Sequence, residues 1–308
     1  MKFFVRVSLG VAVLAGAAVL AHAQKPAWAP EPGHVTLKLW PQGAPGAAQL
    51  PPEVDTTTAK DPLIAGKPLV RLGNVAEPTM TVYAPKKNAN GAAVIVFPGG
   101  GYHILAIDLE GTEVCAWLNG TGTTCLLVKY RVPDTGPYPK SPAALQDAQR
   151  AMGLAREHAK EWGIDPKRIG VLGFSAGAHL SAALSTHWDK RLYDAVDAAD
   201  ALSCRPDFAV IVYPGYLALA EQNMATNAEI KPTKDTPPSF IVQAEDDPVH
   251  VENATNYFLQ LKQADVKAEL HIYAEGGHGY GLRRTKLPVT AWPQLVETWL
   301  DTIGVIEK

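Results

Sequence analysis

The chain has 308 residues, with 28 Lys or Arg against 31 Asp or Glu, giving a formal charge of −3 near pH 7. It contains no basic tract, so it lacks the electrostatic footprint of a nucleic-acid binder. The length is ample for a sizeable core, as one large α/β domain or two small ones.

The N-terminus is set aside from fold reasoning. Lys2 and Arg6 form a short positive region, residues 7–20 an apolar stretch, and Ala21-His22-Ala23 places small residues at the positions a signal peptidase reads. The stretch falls short of the roughly 20 residues of a membrane span. Residues 1–23 are therefore expected to be a cleaved signal peptide. The mature chain 24–308 is then expected to be a single domain, periplasmic or extracellular, without stable membrane insertion. Losing Lys2 and Arg6 takes the formal charge from −3 to −5.

Residues 24–62 are rich in Pro, Gly and Ala and are expected to wrap the surface, with a short strand near 35–39. A second strand is expected near 80–83. Beyond it, apolar runs bounded by turn residues recur at 93–97, 126–130, 169–172, 208–213, 240–243 and 268–273, the pattern of strands buried on both faces. Helical patterns fall at 109–119, 142–162, 176–186, 250–264 and 291–303. The alternation predicts a doubly wound, mostly parallel eight-stranded sheet with helices on both faces, its two early strands extending one edge. Segments 187–206 and 214–236 carry extra length and are candidates for a lid or wall. Three cysteines are too few for a disulfide scaffold. Export permits one bridge, for which Cys115 and Cys125 are the nearest pair, but one falls in a predicted helix and the other opens a predicted strand, so buried free thiols are the preferred reading for them, as for Cys204.

Gly173-Phe174-Ser175-Ala176-Gly177 is the strongest local signal. It lies between a predicted strand and a predicted helix, where a serine sits on a strained turn with its hydroxyl exposed. Ser175 is the candidate nucleophile. A hydroxyl needs a base and a group that orients the base, and both partners are available after later strands. Glu245-Asp246-Asp247-Pro248-Val249 offers the acid, with Asp247 chosen, Asp246 in reserve and Glu245 behind both. Gly276-Gly277-His278-Gly279 offers His278 as base, on a loop bare enough to approach Ser175. His179, one helical turn beyond Ser175, suits a supporting role instead.

Tetrahedral intermediates need donors for the developing oxyanion. The candidates are the N–H groups of Ala176 and, from Pro98-Gly99-Gly100-Gly101-Tyr102, of Gly100 and Gly101. Tyr102 and His103, which follow the glycines, are candidate pocket residues. No Lys-Ser or Lys-Thr follows at phosphate-loop spacing, and no metal-ligand spacing emerges, so neither cofactor nor metal is expected. Trp117, Trp162 and Trp299 fall in predicted helices and read as core. Trp28, Trp40, Trp188 and Trp292 lie in or beside loops, where they could stack on a sugar.

These motifs, with Leu39-Trp40-Pro41-Gln42-Gly43-Ala44-Pro45-Gly46, Glu110-Gly111 and Lys129-Tyr130-Arg131, resemble the carbohydrate-esterase-like branch of the α/β hydrolases. That branch lies near the acetylxylan and feruloyl esterases and is related to the hormone-sensitive-lipase family. The resemblance implies the α/β-hydrolase fold and cofactor-free hydrolysis of acetyl or other small acyl esters on plant polysaccharide or its oligosaccharides. Two departures stand out: Pro98 occupies the place of a histidine that usually braces the glycine loop, and Ala178 that of a third elbow glycine. An exopeptidase or a general short-chain carboxylesterase would share the serine machinery. A non-catalytic carbohydrate-binding protein would not need it. The sequence leaves the oligomeric state undetermined.

Overall fold

The computed structural model describes residues 27–306, so the expected signal segment 1–23 lies outside the described residues. One eight-stranded sheet organises the chain. In chain order its strands are β1 (Val35–Lys38), β2 (Thr79–Tyr83), β3 (Ala93–Phe97), β4 (Thr124–Lys129), β5 (Ile169–Phe174), β6 (Ala209–Val212), β7 (Ser239–Ala244) and β8 (Ala268–Tyr273). They lie in the order β1-β2-β4-β3-β5-β6-β7-β8. β2 pairs antiparallel with both neighbours, and every pairing from β4 to β8 is parallel.

Among the described residues, five α-helices connect or flank the strands: α1 (Glu113–Gly120), α2 (Ala143–Glu157), α3 (Ala176–Thr186), α4 (Glu252–Gln263) and α5 (Trp292–Thr302). Every residue of β3, β5, β6 and β7 is buried. Since successive side chains alternate faces, burial at every position requires cover on both sides of the sheet. That is why these segments read as continuous apolar runs. Burial relaxes at the edge strands: β1 is mostly exposed and β8 mostly half-buried. Among the described residues, no helix is long and apolar enough to cross a membrane.

The helix expected over 109–119 divides in two. Asp108–Thr112 forms a π-helical turn before α1 begins, a geometry commonest at functional sites. The helix expected over 142–162 stops at Glu157. Two short strands, Val54–Asp55 and Arg71–Gly73, also join Leu105–Ala106 in a small separate sheet.

A buried carboxylate ties the N-terminal wrap to the core. Asp147 of α2 accepts the Trp40 indole N–H at 2.7 Å, the Arg131 backbone N–H at 3.0 Å and the Arg131 Nε at 2.9 Å. These contacts place Trp40 in the core, 5% exposed, where it cannot stack on a sugar. Trp292 is likewise buried, against Trp117 and Phe174.

The expectation of free thiols at Cys115 and Cys125 is overturned. α1 packs on β4, so that the two cysteines stand 5.1 Å apart at Cα and form a disulfide; Cys204 is the buried free thiol. Helix and strand membership in sequence gave no hint that the two elements lie side by side. Denatured without reductant, the chain is expected to titrate one thiol, and three after reduction. Three in both states would mean that the pair is open.

Candidate active site

Ser175 is the single residue through which β5 becomes α3. Its backbone sits at φ 52°, ψ −115°, a left-handed conformation that non-glycine residues rarely hold. The flanking glycines permit it. A Cβ on Gly173 would collide with the Gly177 carbonyl, and one on Gly177 with the Phe97 carbonyl at the end of β3. The elbow and the loop after β3 are therefore pressed against each other.

The loops after β7 and β8 bring the acid and the histidine to the same place. His278 Nε2 lies 2.9 Å from Ser175 Oγ, and His278 Nδ1 lies 2.8 Å from Asp247 Oδ2. The other bonds to Asp247 orient its carboxylate: Gln243 Nε2 donates to Oδ2 at 3.0 Å and the Val249 N–H to Oδ1 at 2.7 Å. A carboxylate surrounded by donors acts as acceptor, so Nδ1 carries its proton and Nε2 is free to accept from Ser175. The Asp247 side chain is fully buried, whereas Glu245 and Asp246 are exposed. Asp246 serves the loop instead, accepting the Gly276 and Gly277 N–H groups at 2.9 and 2.7 Å.

Among the described residues, the N–H groups of Gly100, Gly101 and Ala176 meet no protein acceptor, while that of Gly99 is bound by Glu110 Oε2 at 2.7 Å. Gly101 and Ser175 open onto a cavity of about 940 Å³. Residues 137–140 and 215–229 line much of it, with Val249, His250 and Asn253 beyond them. Segment 187–206 does not line the cavity; Arg191, Asp197 and Asp200 bind it to α2, so it is no lid.

Tyr102 and His103 are corrected as pocket residues. Tyr102 is 1% exposed and points its hydroxyl at His179 Nδ1, 2.8 Å away, while His103 is exposed outside the cavity lining. The turn at Gly100-Gly101 rotates Tyr102 inward, where it packs against Tyr130, Tyr216 and His179. Sequence reasoning missed Gln243, although a polar residue inside the apolar run Phe240-Ile241-Val242 was a signal. It also missed Tyr216, which lines the cavity, and any role for Glu110.

Tyr102 and Tyr130 take over the bracing that Pro98 cannot supply. The Tyr130 hydroxyl donates to the Pro98 carbonyl at 2.6 Å, and the Tyr102–His179 bond fastens the end of the glycine loop to α3. Burial, with a smaller contribution from His187, pushes the His179 imidazole down to about 3, so it stays neutral. The arrangement suits acyl transfer: a hydroxyl beside a base, the base oriented by a buried carboxylate, and free N–H donors nearby.

The His179 environment makes stability pH-dependent. The unfolded chain takes a proton on this histidine near pH 6.5, whereas the folded chain resists protonation down to about 3. Stability is therefore lost as pH falls through that window, by up to about 1.4 kcal/mol per pH unit. His179→Asn, which keeps an acceptor for Tyr102, is expected to flatten this acid limb in urea titrations run between pH 7 and 4. An unchanged slope would mean that His179 does not titrate this way.

Comparison with known proteins gives the same picture. The family profile described as alpha/beta hydrolase fold matches residues 94–233, which include Ser175 but stop short of Asp247 and His278. An acetylxylan esterase of Xylanibacter ruminicola is 30% identical over 70% of this chain and 46% of its own length. Endo-1,4-beta-xylanase B of Butyrivibrio fibrisolvens is 29% identical over 66% of this chain and 34% of its own. The chain thus spans less than half the length of these two relatives. The crystal structure of an acetyl ester-xyloside bifunctional hydrolase from Caldicellulosiruptor lactoaceticus superposes with a TM-score of 0.67 at 33% identity, covering 88% of this chain and 97% of that one. With the strand order, the serine elbow and these likenesses together, the chain belongs to the α/β-hydrolase family, in its hormone-sensitive-lipase-like esterase branch.

Proposed function

We propose that the protein is an exported serine esterase that removes acetyl or other small acyl groups from plant polysaccharide or its oligosaccharides. The observation that carries this reading is the hydrogen-bonded row Ser175–His278–Asp247, with the acid buried and the serine facing a cavity. The relatives named for acetylxylan and acetyl ester-xyloside hydrolysis support the substrate class. The signal-like segment 1–23 and the Cys115–Cys125 bridge support an oxidising, exported location.

The reaction proceeds by two acyl transfers. His278 Nε2 takes the Ser175 proton as Oγ attacks the ester carbonyl, and Asp247 stabilises the resulting imidazolium. The Ala176 N–H, with that of Gly100 or Gly101, receives the oxyanion. His278 then returns the proton to the departing sugar hydroxyl, leaving an acyl-serine. Water enters, gives its proton to His278, and releases the carboxylic acid with Ser175 restored.

Acetate release from acetylated xylan and 4-nitrophenol release from 4-nitrophenyl acetate test the reading. The intact protein is expected to perform both, Ser175→Ala neither, and no new reducing ends should appear on xylan. No release from any ester would refute the proposal, and release surviving in Ser175→Ala would refute the nucleophile.

The two neighbouring acids should separate in the same assay. Asp247→Asn is expected to cost on the order of 10⁴ in kcat, the scale found when the orienting acid of a serine triad loses its charge. Asp246→Asn retains an acceptor for Gly276 and Gly277 and should cost only several-fold, about 1 kcal/mol for a neutral in place of a charged acceptor. The reverse order would move the orienting role to Asp246.

A further inference from the structure

Glu110 is a buried carboxylate, 4% exposed, that the acyl-transfer steps do not use. It lies in the π-helical turn Asp108–Thr112, directly beneath the glycine loop. Burying a carboxylate in a core is costly unless every bond it makes is good. Here each oxygen has one donor. Oε2 accepts the Gly99 N–H at 2.7 Å and Oε1 accepts the Tyr213 hydroxyl at 2.7 Å.

Each donor belongs to a different part of the site. Gly99 begins the loop whose next two N–H groups, those of Gly100 and Gly101, are left without protein acceptors among the described residues. By occupying the Gly99 N–H, Glu110 sets the register in which the following two remain available. Tyr213, at the end of β6, reaches the other side. Its oxygen accepts the Gly281 N–H at 3.1 Å, three residues beyond His278, and its ring meets the His278 ring edge-on with centroids 5.0 Å apart. Gly281 is held a second time, its carbonyl accepting the Trp292 indole N–H at 2.8 Å. The path Gly99–Glu110–Tyr213–Gly281 therefore joins the oxyanion loop to the histidine loop through three hydrogen bonds.

We propose that Glu110 is a positioning residue: through Gly99 on one side and Tyr213 on the other, it sets the oxyanion donors and His278 at a fixed relation to each other. The inference rests on the ester-hydrolase reading for its consequence in rate, though not for the link itself. Burial, aided by Asp108, raises the Glu110 carboxyl above its ordinary range against the pull of the Tyr213 hydroxyl, the Gly99 N–H and His278, and both hydrogen bonds reach it as an acceptor. A carboxylate is the simplest group here that can accept from both sides at once. A glutamine at this site accepts from Gly99 with one arm and presents an N–H₂ to Tyr213 with the other. Tyr213 can still accept that donor, so much of the path should survive.

The test compares Glu110→Ala, Glu110→Gln, Tyr213→Phe and the double variant Glu110→Ala/Tyr213→Phe with the intact protein. A transition-state donor that is fully lost costs about 10²–10³ in kcat. Glu110→Ala is thus expected to lower kcat for 4-nitrophenyl acetate by about 100-fold. KM should stay within about twofold, since the ground-state ester does not depend on these donors. Glu110→Gln should recover most of the loss, and affinity for phenylboronic acid, whose tetrahedral serine adduct uses the same donors, should follow kcat.

Tyr213→Phe keeps the ring and tests the path even if Glu110→Ala does not fold. It should lower kcat by about tenfold, and the double variant should fall no further than Glu110→Ala, since both changes cut one path. Independent losses that multiply in the double variant would overturn the link. So would a rise in KM at unchanged kcat.

Hydrogen exchange supplies a reading that does not depend on turnover. In Glu110→Ala and in Tyr213→Phe, residues 98–102 and 276–281 should both lose protection while β3 and β5 keep theirs. Loss confined to 98–102 in both variants overturns the link. Loss in both loops, from a protein that in its intact form hydrolyses no ester, supports the link and instead refutes the esterase reading.

Discussion

The turn at Ser175 imposes the geometry on which the site depends. The chain reverses from β5 into α3 through one residue at positive φ, and that reversal fits only because Gly177 allows the Phe97 carbonyl of β3 to press against the first turn of the helix. The close approach brings the glycine loop after β3 beside Ser175. The same turn frees the Ala176 N–H at the start of α3, where the helix dipole adds positive potential. Strain at one residue thus sets the Ser175 hydroxyl, the free N–H groups of the glycine loop and the helix terminus in one place, and the packed sheet around it keeps the strain from relaxing.

Three buried carboxylates show how one costly group can serve separate ends. Asp147 is paired with Arg131 and fixes the N-terminal wrap through Trp40. Asp247 is satisfied by Gln243, Val249 and His278, which orients the imidazole. Among the described residues, Glu110 has no cationic partner at hydrogen-bond distance; it is held by an amide and a phenol. An uncompensated buried charge is destabilising, so the arrangement of donors around Glu110 distinguishes it from a structural ion pair. The bracing absent at Pro98 is replaced from two sides, by Tyr130 on its carbonyl and by Tyr102 on His179.

Much of this was legible in the sequence because it is local. The apolar runs of β3, β5, β6 and β7 follow from burial on both faces, and the serine elbow follows from small residues around a single turn. The order of acid and histidine after later strands follows from the topology. Asp247 was favoured over its neighbours from turn chemistry alone, and its buried side chain beside exposed Asp246 shows why the two differ.

What only the tertiary structure decided is which distant segments meet. Cys115 and Cys125 face each other because α1 lies along β4, a relation that no spacing of ten residues encodes. Tyr102 turns into the core because the glycine loop reverses before it, and segment 187–206 binds α2 because Arg191 donates to the Gln149 carbonyl while Asp197 and Asp200 accept from Arg150. Glu110 looked like one half of an unassigned Glu-Gly pair until β6 delivered Tyr213 to its second oxygen. Periodicity and turn chemistry act over a few residues, and so the sequence by itself determined the elements and singled out Ser175, Asp247 and His278 as candidates. Side-chain direction and partner choice depend on packing across the whole sheet, and only the folded chain could decide them.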